Sequence, residues 1–263
     1  MFTLIDIVQP TTVEEAYTIL TKRRNNQLIG GSAFLRMGKK RIGTAIELSN
    51  LGLDYIKENE NEFEIGAMTT FRQLETSKEL NEYFGNVLSK SVENIIGVQF
   101  RNVVTVGATV FSKYSFSDLI TGLLCLDTDV ELFKGGRMSL QEFLDRDYEK
   151  DLLVKIYIKK TSIKATYKDM RNSKSDYAIV NVSVSVDENN SWKLIVGARP
   201  RGARVAEEAS KFLSTVEANE ENINKACEMA VNELAFGTNM RGSEEYRKAV
   251  SKVLLKRGIM EVL

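Results

Sequence analysis

Two places where an apolar run stops abruptly on glycine constrain this chain more than any other feature. The first is Gln27-Leu28-Ile29-Gly30-Gly31-Ser32-Ala33-Phe34-Leu35, and the second is Val103-Val104-Thr105-Val106-Gly107-Ala108-Thr109-Val110. Each predicts a buried strand that breaks into a tight loop, where a residue without Cβ supplies backbone angles and clearance. Successive N–H groups in such a loop form a concave anion site, and the Ser32 hydroxyl adds a donor. A single Gly-Gly after a strand is usually only a turn. Two such loops, each behind a buried strand, bring a diphosphate-bearing cofactor into consideration.

The composition excludes several alternatives. With 36 basic and 36 acidic side chains, the chain offers no net charge to attract nucleic acid or an anionic membrane. No apolar run approaches the roughly 20 residues that span a bilayer. The start, Met1-Phe2-Thr3-Leu4-Ile5-Asp6, lacks the basic and apolar regions of a signal peptide. The cytoplasm is the expected location. Histidine is absent, and the two cysteines, Cys125 and Cys227, are far apart, so neither a metal nor an iron–sulfur cluster is expected within this chain. Cys125, inside Leu123-Leu124-Cys125-Leu126, reads as a small core residue. Redox chemistry here requires an organic cofactor.

The first fifty residues of the 263 read as a small α/β unit. Ile5–Val8 is a strand, and Thr12-Val13-Glu14-Glu15 is a capping box opening a helix with Val13, Ala16, Tyr17 and Leu20 on one face. The strand at Gln27–Ile29 and a strand at Thr44–Leu48 follow. Tyr55 to Met68 predicts a hairpin turning on Glu58–Glu62, whose carboxylates read as solvated. Helices are predicted from Thr70 and over Asn86–Ile96. Ser117-Asp118 predicts the N-cap of the apolar helix Leu119–Leu126; capping is the commoner use of Asp118, and accepting hydrogen bonds from a ribose is the second. A boundary is placed at residue 160. Beyond it, strands at Lys164–Arg171, Tyr177–Val186 and Trp192–Gly197 precede helices at Ala206–Leu213, Glu220–Leu234 and Ser243–Arg257. The basic stretch Arg199–Arg204 reads as solvent-facing, with partner contact a second use. The fold expected is two-domain α+β: residues 1–160, in subdomains of about 1–53 and 54–160, then an antiparallel sheet with helices over 161–263.

In four places the sequence resembles the FAD-binding medium subunit of the molybdenum hydroxylase family, which includes xanthine dehydrogenases and carbon monoxide dehydrogenases. Ile29-Gly30-Gly31-Ser32-Ala33-Phe34-Leu35 is similar to the family's first flavin loop, Ala-Gly-Gly-Thr-Asp-Leu. Ile65-Gly66-Ala67-Met68-Thr69-Thr70 resembles Ile-Gly-Ala-x-Thr-Thr. Gln99-Phe100-Arg101-Asn102-Val103-Val104-Thr105-Val106-Gly107-Ala108-Thr109 resembles Gln-Ile-Arg-Asn-x-Gly-Thr-Ile-Gly-Gly-Asn, with Ser117-Asp118 following in place. Ser243-Glu244-Glu245-Tyr246-Arg247 is similar to Ser-x-x-Tyr-Arg near the end. The motifs stand in family order across nearly the whole chain.

The resemblance implies an FAD-dependent oxidoreductase subunit with no catalytic side chain of its own. It also implies a hetero-oligomer, or a dimer when the chain is isolated. Electrons would come from a molybdenum cofactor in one partner subunit, through [2Fe-2S] clusters in another, to FAD here and on to NAD. Purines and other N-heterocycles are the family's usual substrates. It assigns FAD to Leu28 through Leu35, to Thr105, Gly107, Ala108 and Thr109, and to Ser117 and Asp118. Lys168 and Asp176 resemble residues near the flavin ring. Gly31→Val is then expected to abolish flavin binding while leaving the core folded. Ala33, Val104, Ala108 and Thr109 depart from the pattern, and the methyl of Ala108 would crowd a pyrophosphate approaching there. Two alternatives therefore stand beside this reading: a stand-alone flavin oxidoreductase, and an assembly module that has lost its flavin.

Overall fold

The structure is a computed structural model and describes residues 2–263. In chain order it contains β1 (Thr3–Val8), α1 (Val13–Lys22), β2 (Gln27–Ile29), β3 (Arg41–Glu47), β4 (Ile56–Glu58) and β5 (Glu62–Gly66). Six short helices follow: α2 (Phe71–Thr76), α3 (Lys78–Tyr83), α4 (Val87–Val92), α5 (Val98–Arg101), α6 (Val106–Ser112) and α7 (Asp118–Leu124). Next come β6 (Thr128–Leu132), β7 (Gly136–Ser139), α8 (Leu140–Asp145) and β8 (Leu153–Lys159). The last part holds β9 (Ile163–Arg171), β10 (Ala178–Asp187), β11 (Trp192–Gly197), β12 (Arg204–Val205), α9 (Glu207–Thr215), α10 (Glu220–Glu233) and α11 (Glu244–Val262). No helix among the described residues is long and apolar enough to cross a membrane.

The chain forms two compact units that are not consecutive in sequence. The first comprises residues up to Gln73, with Val98–Ser112 and Thr128–Lys159. The second gathers Leu74–Gly97, Lys113–Asp127 and Lys160–Leu263. Two segments expected on the N-terminal side of residue 160 thus pack with the C-terminal sheet.

The first unit holds two sheets. One is parallel, in the order β1-β3-β2, and the other antiparallel, in the order β4-β5-β8-β6-β7. α1 lays Ala16 and Leu20 against Ile46, Leu48 and Leu152, the small core of the parallel sheet. Its cap differs in one bond from the capping box. Thr12 Oγ1 accepts from the Glu15 N–H at 3.1 Å, but the Glu15 carboxylate accepts from the N–H of Thr11, at 2.9 Å. The hairpin forms as its alternation predicts. Asn59 Oδ1 closes its tip by accepting from the N–H groups of Asn61 and Glu62, at 3.0 and 2.8 Å.

The second unit is built on the antiparallel sheet β12-β11-β10-β9. Alternation gives β10 two faces. Val180, Val182 and Val184 are buried in a core with Trp192, Leu194 and Val196 and residues of α9, α10 and α11. Asn181, Ser183 and Ser185, equally buried, turn to α7. There Ser183 Oγ donates to Thr121 O at 2.5 Å and Ser185 Oγ to Cys125 O at 2.7 Å. α11 comes so near the sheet that a Cβ on Gly258 would lie 2.8 Å from Val184 Cγ2.

Two predicted elements are shorter than their patterns. The helix expected over Asn86–Ile96 covers only Val87–Val92, because Asn86 (φ 64°) and Ile96 (φ 53°) sit in the left-handed region. The strand expected at Val103–Val106 is a single antiparallel bridge, Thr105 to Thr70, after which the chain turns into α6. The basic stretch after β11 is not wholly solvent-facing: Arg199 is buried, its guanidinium donating to the carbonyls of Val196 and Ala235. Burial, with Arg204 and Arg201 nearby, brings the Arg199 pKa down to about 10.

Candidate functional site

In the first unit, β2 ends at Ile29 and the chain turns sharply. Gly31 has φ +62° and Ser32 φ 54°, and the Ser32 N–H donates to Gly30 O at 2.6 Å. A short turn at Leu35–Met37 closes the loop, with the Arg36 N–H donating to Ser32 O at 3.2 Å. Residues 28–35 are all half-buried. Among the described residues no acceptor faces the N–H of Gly31 or Ala33, and the Ser32 hydroxyl has no partner. These donors share one tight turn, the arrangement that receives an anion.

The second glycine stretch lies directly against the first. A Cβ on Gly31 would sit 1.5 Å from Val103 O, so only glycine admits that carbonyl. A Cβ on Gly30 would meet Met68 Sδ at 3.0 Å and Thr105 Oγ1 at 3.5 Å. One on Gly107 would meet Ala67 Cβ at 2.6 Å. Three separate stretches, around residues 30, 67 and 105, therefore meet at backbone distance. The sequence pattern placed the first and third at the site and passed over Met68 and Thr69. Their signal was the Ile65–Thr70 motif itself.

After Thr105, whose N–H meets no acceptor among the described residues, the backbone donors of the second stretch are engaged at its turn. The N–H of Val106 donates to Thr69 O at 2.9 Å and that of Gly107 to Ala67 O at 2.8 Å. The N–H of Ala108 donates to Thr105 Oγ1 at 3.3 Å, and that of Thr109 to Thr105 O at 3.2 Å. Thr105 and Gly107 are buried, Thr109 is half-buried with its hydroxyl donating to Thr105 O, and Ala108 is exposed. This stretch mainly braces the first loop, with the Thr105 N–H its one unengaged turn donor among the described residues.

In the second unit, Ser117 is the helix cap: its Oγ accepts from the Ile120 N–H at 3.2 Å. Asp118 is neither cap nor open ligand. Its Oδ1 accepts from Tyr167 Oη at 2.5 Å and Asn181 Nδ2 at 2.6 Å, and its Oδ2 pairs with the Arg171 guanidinium at 3.1 Å. Burial pushes this carboxyl above its ordinary range, against the pull of Arg171, Tyr167 and Asn181. Desolvation disfavours the charged form, and only these partners hold the charge in place. Lys168 and Asp176 are also engaged within the unit. Lys168 Nζ pairs with Glu261 of α11, and Asp176 accepts from Arg241 Nη1 at 2.7 Å through both oxygens. Tyr167 and Arg171 turn to Asp118, so the intervening Lys168 leaves β9 on the opposite face. The structure does not bring Lys168 and Asp118 together.

The Ser243–Arg247 motif is structural. Ser243 caps α11 by accepting from the Tyr246 N–H at 3.2 Å. Arg247 is 1% exposed, and its guanidinium donates to the carbonyls of Ile179 and Ala198 and to Asn239 Oδ1.

Compared with known families, residues 2–161 match the model of the FAD binding domain in molybdopterin dehydrogenase. The chain belongs to that family. Residues 165–262 match a second model, the CO dehydrogenase flavoprotein C-terminal domain. Among curated relatives, the uncharacterized protein YgfM of Escherichia coli K12 is 26% identical over 260 residues, covering 94% of this chain and 92% of its own. The glyceraldehyde dehydrogenase medium chain of Sulfolobus acidocaldarius is 23% identical over 273 residues, covering 97% of each. A solved structure of Cu,Mo-CO dehydrogenase superposes with a TM-score of 0.89 at 22% identity, over 100% of this chain and 98% of that one. That likeness shows the two-domain fold.

The first unit fits the family's FAD. The unpartnered donors of Gly31, Ala33 and Ser32 suit a diphosphate, and the glycines leave a cradle that a Cβ would fill.

Proposed function

We propose that this chain is the FAD-carrying electron-transfer subunit of a multi-subunit molybdenum hydroxylase. It would take electrons from the iron–sulfur clusters of one partner subunit, with the molybdenum cofactor in another, and pass them to NAD. The observation that carries the reading is the Gly30–Phe34 loop, whose open donors are held rigid by the Val103 carbonyl packed on Gly31. FAD, when bound, supplies the redox chemistry by accepting electrons singly or as hydride.

The chain's own part is to bind and orient. The N–H groups of Gly31 and Ala33 and the Ser32 hydroxyl would hold phosphate oxygens, and Gly30 keeps side-chain bulk away from them. Val106 and Gly107 fix the second stretch on the backbone of Thr69 and Ala67, Ala108 closes its turn on Thr105 Oγ1, and Val103 O packs on Gly31. Neither thiol is suited to hold a cluster. Cys125 and Cys227 are both buried, and burial pushes their pKa values up to about 12 and about 11. With two cysteines and no histidine, the chain cannot supply the four thiolates that an iron–sulfur cluster takes. Cluster and molybdenum ligands therefore belong to partner chains, in a hetero-oligomer working in the cytoplasm. Relatives named for glyceraldehyde and carbon monoxide dehydrogenases share this medium chain, so the hydroxylated substrate, a purine or other N-heterocycle here, would be chosen by the molybdenum-bearing partner.

The purified chain tests this directly. It is expected to bind one FAD and to be bleached anaerobically by NADH, but not by hypoxanthine until partner subunits are added. Bleaching by hypoxanthine alone would instead establish a stand-alone oxidoreductase. Failure to bind FAD at all would establish the flavin-free module.

A further inference from the structure

The three-stranded sheet of the first unit has two ends of opposite character. Because β1, β3 and β2 run parallel, the glycine loop leaves from one end. The segments leading into β2 and β3 lie toward the other, about 10 Å and about 20 Å back along their strands. That other end is cationic. Arg23 and Arg24 precede β2, Lys39, Lys40 and Arg41 lead into β3, and all five are exposed. Lys150 joins them, its Nζ donating to Arg23 O at 2.6 Å and Arg24 O at 3.2 Å. Burial, and then the charge of Lys40, hold Lys150 below the usual lysine range. Among the described residues none of these six cations is in an ion pair. The chain as a whole has one acid for every base, 36 of each, so this end is uncompensated by placement rather than by composition.

The strand beside the cations is open. β1 stands at the sheet edge and pairs only with β3, so its outer side carries unpaired backbone groups. Ile5 is 82% and Ile7 52% exposed, on one face by alternation. The Thr3 N–H donates to Lys40 O at 3.1 Å, which fixes the start of β1 against the cationic segment. An exposed apolar edge strand is a template for pairing, and proteins normally blunt such edges with charge or cover them. The strand itself carries one charge, Asp6, whose Oδ1 accepts from the Ile7 N–H at 2.9 Å.

We propose that the β1 edge and the adjoining cationic end form a docking site for an acidic, extended segment of a partner protein, added to the sheet as a further strand. Backbone pairing would supply affinity, and Ile5 and Ile7 would pack against alternate apolar side chains of the added strand. Its carboxylates would meet Lys39 and Arg41, steering the approach and fixing direction, while Lys40 Nζ donates to Gln27 Oε1 on the far edge of the sheet. A polyanion alone makes no use of exposed isoleucines or of an open strand edge, which is why a protein segment fits better than nucleic acid. The proposal does not rest on the flavin reading.

A labelled peptide alternating Glu and Val, titrated with the full chain by fluorescence anisotropy, is the test. The chain is expected to bind it, and to bind far less of the same peptide with a central Val replaced by Pro. Lys39→Glu/Arg41→Glu and Ile5→Ser/Ile7→Ser are each expected to weaken binding about tenfold, with FAD content unchanged because none of the four belongs to the Leu28–Leu35 loop and β3 separates β1 from β2. Unchanged affinity in both variants overturns the proposal. So does sensitivity to the charge variant alone, or tighter binding of a short DNA duplex or phosphatidylserine vesicles than of the peptide.

Discussion

The glycine loops of the first unit and the Asp118 seam of the second both carry motif residues, yet they treat polar groups in opposite ways. At Gly30–Ala33 the backbone is pressed against Val103 O while the N–H groups of Gly31 and Ala33 stay open. Around Asp118 every acceptor is filled from within by Tyr167, Asn181 and Arg171. The first arrangement stores binding capacity in a rigid turn, and the second converts polar groups into fold specificity. A motif shared with a family therefore does not tell which residues touch a ligand; the disposition of their donors and acceptors does.

The strongest way to break the contrast is Asp118→Asn. It leaves Arg171 buried with its main counter-charge gone, and removing one partner of a buried pair costs about 3–5 kcal/mol. Urea unfolding should show that loss, while FAD affinity of the folded protein changes little. A fall in affinity beyond what the lost stability explains would show that Asp118 serves the cofactor after all.

Gly31→Val comes next. Its Cβ would meet Val103 O in a left-handed turn, so the earlier expectation of an undisturbed core does not hold. Strain and overpacking together are expected to cost about 3 kcal/mol, with loss of FAD. Ser32→Ala separates the two effects, since it removes only an unpartnered hydroxyl. Stability should move by no more than about 0.5 kcal/mol, while FAD affinity falls about tenfold, or about 1.4 kcal/mol. Equal affinity in Ser32→Ala would remove the hydroxyl from the phosphate site.

The smallest effect concerns pH. Hydrogen bonds from Lys168 and then Thr166 lower the Glu261 carboxyl from 4.5 to about 2. A folded pKa below the unfolded one contributes stability above about pH 4.5 that is lost as pH falls through 2. The pair is half-exposed, so its worth is below about 1 kcal/mol after solvent screening. Glu261→Gln should flatten the acid limb of a melting-temperature profile in that window and leave neutral pH nearly unchanged. A profile identical to the parent's would show the pair to be inert.

Much of the architecture was legible where local chemistry decides it. The caps at Thr12 and Ser117, the hairpin turning on Asn59 and the alternation of β10 all follow from residues close in sequence. The Val103–Val106 run misled because β-branched residues favour strands, whereas the hydrogen bonds to Ala67 and Thr69, about forty residues away, bend it into α6. Arg199 reads as a surface charge, and Arg247 only as the end of a motif. Nothing local signals that carbonyls of distant turns will bury them. At the candidate site the first loop was legible through its glycines. The closed environment of Asp118 was not, since Tyr167, Arg171 and Asn181 are fifty to sixty residues downstream.

The interleaving of the two units has a consequence for synthesis. The ribosome delivers α4 and α7 long before β10, the strand on which α7 rests. From Leu124 to Asp187 is 63 residues, which at ~5–20 residues per second takes roughly 3–13 s. Through that interval the apolar helix Asp118–Leu124 is made but unsheltered, and a truncation ending near residue 160 would make the exposure permanent. The nascent chain thus passes through a stage that invites chaperone capture, and expression of the N-terminal half alone should yield aggregate rather than a small soluble domain.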